Sequence, residues 1–156
     1  MAVPLIIKTQ RNDFDINAEI KTLTKDDQNI GAVVTFTGLC RDEDGSRAAL
    51  DLEHYPGMAE AEIKRHAEKA IARFELSGLL AIHRHGKILP GENIVLVIAA
   101  SKHRQAAFDG ANYLMDFLKT HAPFWKKEHL ANGAEGKWID AKDADDDALA
   151  KWETLI

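Results

Sequence analysis

The sequence predicts an α+β fold in a single domain. Residues 30–38 (IGAVVTFTG) and 94–100 (IVLVIAA) are apolar runs with the β-branched content of buried strands. Residues 48–55 (AALDLEHY) alternate instead, Leu50 and Leu52 against Asp51 and Glu53, as in a strand with one wet face. Two further segments repeat apolar residues at helical spacing, and strands outnumber helices. A chain of 156 residues suits one domain over 1–156, with enough core to need no staples.

The elements follow in order. Residues 3–9 (VPLIIKT) read as a short strand. Asp15 is placed to cap a short helix with Ile16, Ile20 and Leu23 on one face. After the 30–38 strand, the polar stretch 39–47 is a loop. Pro56-Gly57 turns the chain after the alternating strand. Ile63, Ala67, Ala70, Ile71 and Phe74 then form one helical stripe, with Glu60 and Lys64 as an i,i+4 pair outside it. Residues 79–86 are a strand, 89–93 a turn and 94–100 a fully buried strand. Ser101 is expected to cap a helix running to about Lys119, with Ala107, Phe108, Ala111, Leu114, Met115 and Leu118 buried. Pro123 forces the exit from that helix. Residues 136–141 (GKWIDA) read as a last strand, and 142–156 as an acidic terminal helix or tail.

Composition narrows the function. The net charge is −5, yet residues 101–128 carry five Lys/Arg against three Asp/Glu, and residues 129–156 three against seven. That balance disfavours a nucleic-acid binder, which needs a broad cationic face, and permits a small-anion site. One cysteine excludes an internal disulfide and a multi-thiolate zinc site, and fits a reducing compartment. The apolar runs fall far short of the ~20 residues that span a bilayer. The start lacks a secretory pattern, so the expected location is the cytoplasm.

Two local features suggest where an anion would bind. With Ser101 as cap, Lys102, His103 and Arg104 would fill a first helical turn, where the helix dipole disfavours cations. A bound phosphate would reverse that sign; splayed, solvated side chains are the alternative. At the other end, Lys119 is followed across Pro123 by Phe124, Trp125, Lys126, Lys127 and Glu128, so cations stand beside a flat apolar wall. A lysine in a last helical turn is comfortable on its own account, so its company carries the functional reading. His83 and His85 share one side of a strand and His54 ends another, but no third ligand accompanies them, and no metal is expected. Cys40, beside Arg41, is read as inert rather than as a nucleophile.

The segments GAVVTFTGLCR, LEHYPGMAE, IHRHGKILPGE, SKHRQAAFDGANYLMDFLKTHAPFWKKE and GKWIDA, in this order, resemble the large, catalytic subunit of molybdopterin synthase. The likeness runs from about Ile30 to Ala141. It implies an α/β-hammerhead-like fold with additional antiparallel strands. It also implies a sulfurtransferase that converts cyclic pyranopterin monophosphate to molybdopterin. Two sulfurs would come from the C-terminal glycine thiocarboxylate of a small ubiquitin-like carrier subunit. The implied assembly is a homodimer within a heterotetramer, without cofactor, metal, nucleic acid or membrane. By resemblance Lys119 and Lys126 are catalytic. Arg41, His103 and Arg104 bind substrate, together with Lys127 and Glu128 beside Lys126. Leu39 and Cys40, which precede Arg41 in TGLCR, join the substrate-binding set without a chemical role for the thiol. A non-catalytic module holding the same partner's tail, and a small-molecule phosphoesterase, are the rival readings. The chain lacks the carboxylate cluster of a metal phosphoesterase.

Overall fold

The structure, a computed structural model, describes residues 2–121, 124–133, 135–139, 150 and 152. Its elements in chain order are β1 (Leu5–Gln10), α1 (Ile16–Thr24), β2 (Ala32–Leu39), β3 (Arg47–His54), α2 (Met58–Phe74), β4 (Gly78–Arg84), β5 (Gly86–Ile88), β6 (Asn93–Ser101), α3 (Arg104–Thr120), β7 (Phe124–Leu130) and β8 (Glu135–Ile139). They form two four-stranded sheets, ordered β1-β4-β6-β2 and β5-β3-β7-β8. The fold is α+β, as the sequence predicts. The β1–β4 ladder is parallel, with Leu5 opposite Leu79, and the other ladders are antiparallel.

The first sheet is covered on both faces, and the pleat sorts its side chains. Leu80, Ile82, Leu96, Ile98 and Ala100 face α1 and pack with Leu23. Leu79, Ala81, Val95, Val97 and Ala99 face the other way, toward Ile63, Ala67 and Ala70 of α2 and Leu114, Phe117 and Leu118 of α3. Leu50 and Leu52 of β3 join that second cluster, so one core reaches both sheets. Burial on both faces explains why β4 and β6 read as continuous apolar runs.

Asp15 caps α1 as expected, its Oδ1 accepting from the Ala18 N–H at 3.1 Å. Ser101 does not cap α3. It pairs with Ala32 as the last residue of β6, and its carbonyl accepts from the Gly31 N–H at 3.0 Å, so the ladder has claimed its backbone. His103 is the N-cap, without a side-chain cap bond, and only Arg104 of the three basic residues enters the helix. Phe108 is exposed and Phe117 takes its place in the buried stripe. Glu60 pairs with the Thr9 hydroxyl, and Lys64 reaches Glu68 at 3.9 Å instead. Two strands, β5 and β7, were not expected. Pro123 lies outside the described residues, as does the 142–156 segment apart from Ala150 and Trp152. Trp152 is buried, and its Nε1 donates to Asp116 Oδ2 at 2.6 Å.

Candidate active site

A narrow cavity of about 40 Å³ opens where β2, β4, β6, α3 and β7 converge. Gly38 and Leu39 of β2, His83 of β4, Ile94 and Val95 of β6, Met115, Leu118 and Lys119 of α3, and Lys126 of β7 line it. The folding logic is local. The last turn of α3 brings Lys119 to the sheet's edge, and the chain returns as β7 beside β3, with Lys126 opposite Leu52. Alternation along β7 then sends Phe124, Lys126 and Glu128 to one face and Trp125, Lys127 and His129 to the other. Gly38 keeps the entrance open, because a Cβ there would stand 2.8 Å from Val95 Cγ1.

Of the residues expected in the site, Leu39, Lys119 and Lys126 share this cavity. Arg41 lies just beyond, in the 41–46 loop, with its guanidinium 3.0 Å from Glu43 Oε1 and largely in solvent. Cys40 turns inward: it is buried in the core cluster, and burial pushes its thiol pKa up, so the sulfur stays protonated. Glu128 faces Arg47, its Oε2 3.5 Å from Nη2, and Arg47 Nη1 donates to the Arg41 carbonyl at 3.1 Å. Glu128 thus anchors the loop that carries Arg41. Lys127 is on the outer face, its ammonium 6.0 Å from the centre of the Trp138 ring. His103 and Arg104 sit at the opposite end of α3 from Lys119. Fifteen residues of helix put about 22 Å between them, so one chain cannot close all these cations around one small anion.

His83 belongs to the site, although the sequence offered it only as a rejected metal ligand. It is buried, and Phe124 stacks on it with ring centres 3.7 Å apart and planes 12° from parallel. Burial pushes its pKa down to about 3. The Arg84 carbonyl opposes that shift, while the Lys126 and Lys119 charges add to it. His54 stacks on the same Phe124 at 5.6 Å and meets His85 at 4.3 Å, so the strand histidines form an aromatic row. Among the described residues no group of three or more His, Cys, Asp or Glu is placed to hold a metal. No described helix is long and apolar enough to cross a membrane.

Comparison with known proteins gives the same direction from each side. A sequence model of the MoaE protein family matches residues 9–121. A molybdopterin synthase catalytic subunit from Rhizobium meliloti is 62% identical over 97% of this chain and 98% of its own length. One from Cereibacter sphaeroides is 47% identical over 94% and 99%. Among solved structures, the molybdopterin biosynthesis MoaE protein from Burkholderia ambifaria superposes with a TM-score of 0.82 at 43% identity, covering 96% of this chain and 98% of that one. A complex of subunits 1 and 2 of molybdopterin-converting factor from Helicobacter pylori matches with a TM-score of 0.67 at 25% identity, over 89% and 90%. With its fold, its lysine-lined cavity and these relatives in agreement, the chain belongs to the MoaE family.

Proposed function

We propose that this chain is the catalytic subunit of a cytoplasmic molybdopterin synthase. It transfers two sulfurs to cyclic pyranopterin monophosphate, one from the thiocarboxylated C-terminal glycine of each of two small ubiquitin-like carriers, forming the dithiolene of molybdopterin. The observation that carries this reading is the convergence of Lys119 and Lys126, from a helix and a strand, on one narrow cavity.

The size and charge of the cavity suit the two anions involved. A space of about 40 Å³ admits the tip of a chain or a few waters, not a pterin. The carrier's terminal glycine, with no side chain, fits such a space, and the pterin sits at its mouth. Two lysines, on a wall shared with His83 and apolar side chains, attract the thiocarboxylate and stabilise the oxyanion that develops as sulfur leaves its acyl carbon. Among the described residues of the wall there is no carboxylate.

His103 and Arg104 bind the substrate phosphate in this scheme. Their distance from Lys119 along α3 requires a second copy of the chain, whose helix start completes the site. The homodimer, with one carrier at each end, is therefore part of the proposal. The test is incubation with cyclic pyranopterin monophosphate and thiocarboxylated carrier, followed by detection of the dithiolene. Carrier binding without product would leave a non-catalytic module; pterin dephosphorylation without a sulfur donor would leave an esterase.

A further inference from the structure

The turn that follows Arg41 is strained. Glu43, Asp44 and Gly45 hold φ at 52°, 57° and 87°, and the first two carry side chains in the left-handed region that favours glycine. Bonds within the turn keep it there. Asp42 Oδ1 accepts from the Asp44 N–H at 3.1 Å, and the Asp42 carbonyl accepts from the Gly45 and Arg47 N–H groups at 3.1 and 2.9 Å. The Ser46 hydroxyl donates to the Glu43 carbonyl at 2.7 Å. A conformation of this cost persists only where its surroundings over-determine it. Its effect is to present one carboxylate oxygen, Glu43 Oε1, to two arginines: Arg41 Nη2 at 3.0 Å and Arg47 Nη2 at 3.6 Å. The two arginines differ. Arg47 is buried and pairs with Glu128 as well. The Arg41 side chain is 69% exposed, and among the described residues Glu43 is the one carboxylate in ion-pair reach of it.

We infer that Glu43 is a positioning residue of the sulfur-transfer site, whose carboxylate competes with an incoming oxyanion for the Arg41 guanidinium and takes it back when that anion leaves. The inference rests on the sulfur-transfer reading, which makes the anion either the pterin phosphate or the terminal group of the carrier. Arg41 stands just beyond Leu39 of the cavity wall, beside the mouth. A guanidinium has donors to spare, but a carboxylate at 3.0 Å offsets its charge and repels a second anion. An exposed pair of this kind is weak enough for a ligand to displace. The advantage lies in turnover. Each cycle must release a spent carrier and an anionic product, and a cation with a built-in competitor does not hold them. Arg47 keeps the Glu43 carboxylate in place while Arg41 is engaged elsewhere.

Glu43→Gln tests this, because it keeps the shape of the side chain and removes its charge. The measurements are KM for the pterin and Kd for the carrier, in the complex with thiocarboxylated carrier at low salt, where exposed charges are least screened. One of the two should fall about 2- to 5-fold, the scale of an exposed ion pair. A fall in KM assigns the displacing anion to the pterin phosphate; a fall in Kd assigns it to the carrier's terminus. A merely structural ion pair would move both values the other way when lost. In an Arg41→Gln background Glu43→Gln should bring no gain, because the competition acts through Arg41. KM and Kd both unchanged or raised, or an equal gain without Arg41, overturns the inference. Should Glu43→Gln fail to fold, Glu43→Asp withdraws the carboxylate by one methylene and suits the left-handed turn; it should give a smaller gain of the same sign, and no gain overturns the inference. Should the parent make no dithiolene, the sulfur-transfer reading fails. Carrier binding and titration with inorganic phosphate need no turnover and still decide the competition: equal affinities in parent and Glu43→Gln overturn it.

Discussion

Lys126 and Lys127 are neighbours in sequence and lie on opposite faces of β7, one on the cavity wall and the other beside the Trp138 ring. The strand pleat separates two residues that composition alone would pool. Lys126→Ala is expected to abolish sulfur transfer, as is Lys119→Ala, with fold and carrier binding retained. Lys127→Ala should leave most of the rate, because its side chain points away from the cavity toward Trp138. Single-turnover assays of the three variants decide this; a Lys127→Ala defect as deep as that of Lys126→Ala would place the reacting groups on the outer face.

Arg47 links three parts of the site's margin. Its guanidinium, only 10% exposed, reaches Glu128 and Glu43 and donates to the Arg41 carbonyl. Replacing it with leucine removes charge-assisted bonds and leaves Glu128 half-buried without this partner. The expected loss is about 1–3 kcal/mol in urea unfolding, with a raised KM for the pterin as the Arg41 loop loosens. A parental KM in a stably folded Arg47→Leu protein would detach that loop from substrate binding.

Gly31 lets two backbones pass closely. A Cβ there would come within 2.3 Å of the Lys102 carbonyl oxygen, a backbone atom that cannot turn aside. Gly31→Ala should therefore destabilise by about 1–3 kcal/mol through overpacking. Because Lys102 leads into His103 and Arg104, it should also weaken pterin binding. Calorimetric unfolding at the parental temperature would show that the strand start moves freely instead.

Two histidines tie stability to pH. His66, stacked on Phe117 with ring centres 3.4 Å apart, has its pKa pushed down to about 4 by burial and then by Arg65 and Lys69. His83 sits at about 3. Each takes up a proton near pH 6.5 when unfolded but not when folded, so acid favours unfolding. Their contribution is complete above about pH 6.5 and is lost as pH falls toward 4, at up to about 1.4 kcal/mol per pH unit for each. Urea titrations at pH 7 and 5 measure it, and His66→Phe should flatten the slope. Equal midpoints at the two pH values would contradict the burial of both rings.

The sequence disclosed what depends on one element at a time. The stripe Ile63, Ala67 and Ala70 and the alternation of Leu50 and Leu52 record which face each element buries, and both are found in the core. What depends on pairing between distant segments was hidden. Ser101 has the side chain of a cap, but Ala32 claims its backbone. FWKKEHL has neither strand periodicity nor β-branched residues, and becomes a strand because β3 offers it an edge. Lys119, Lys126 and Leu39 were expected in the site and line the cavity together. His83 was missed because its place in the cavity wall depends on the fold, where Phe124, far away along the chain, stacks on it.

The ladders described above join segments from opposite halves of the chain: Leu5 with Leu79, Ala32 with Ser101, Arg47 with Leu130. Such distant pairings make folding slow, on the millisecond-to-second scale typical of high-contact-order topologies. They also set an order during synthesis. β3 leaves the ribosome long before β7, which carries Lys126, exists to cover its edge. The cation pair at the cavity is therefore assembled only once β7 has been made, after the strands against which it is built.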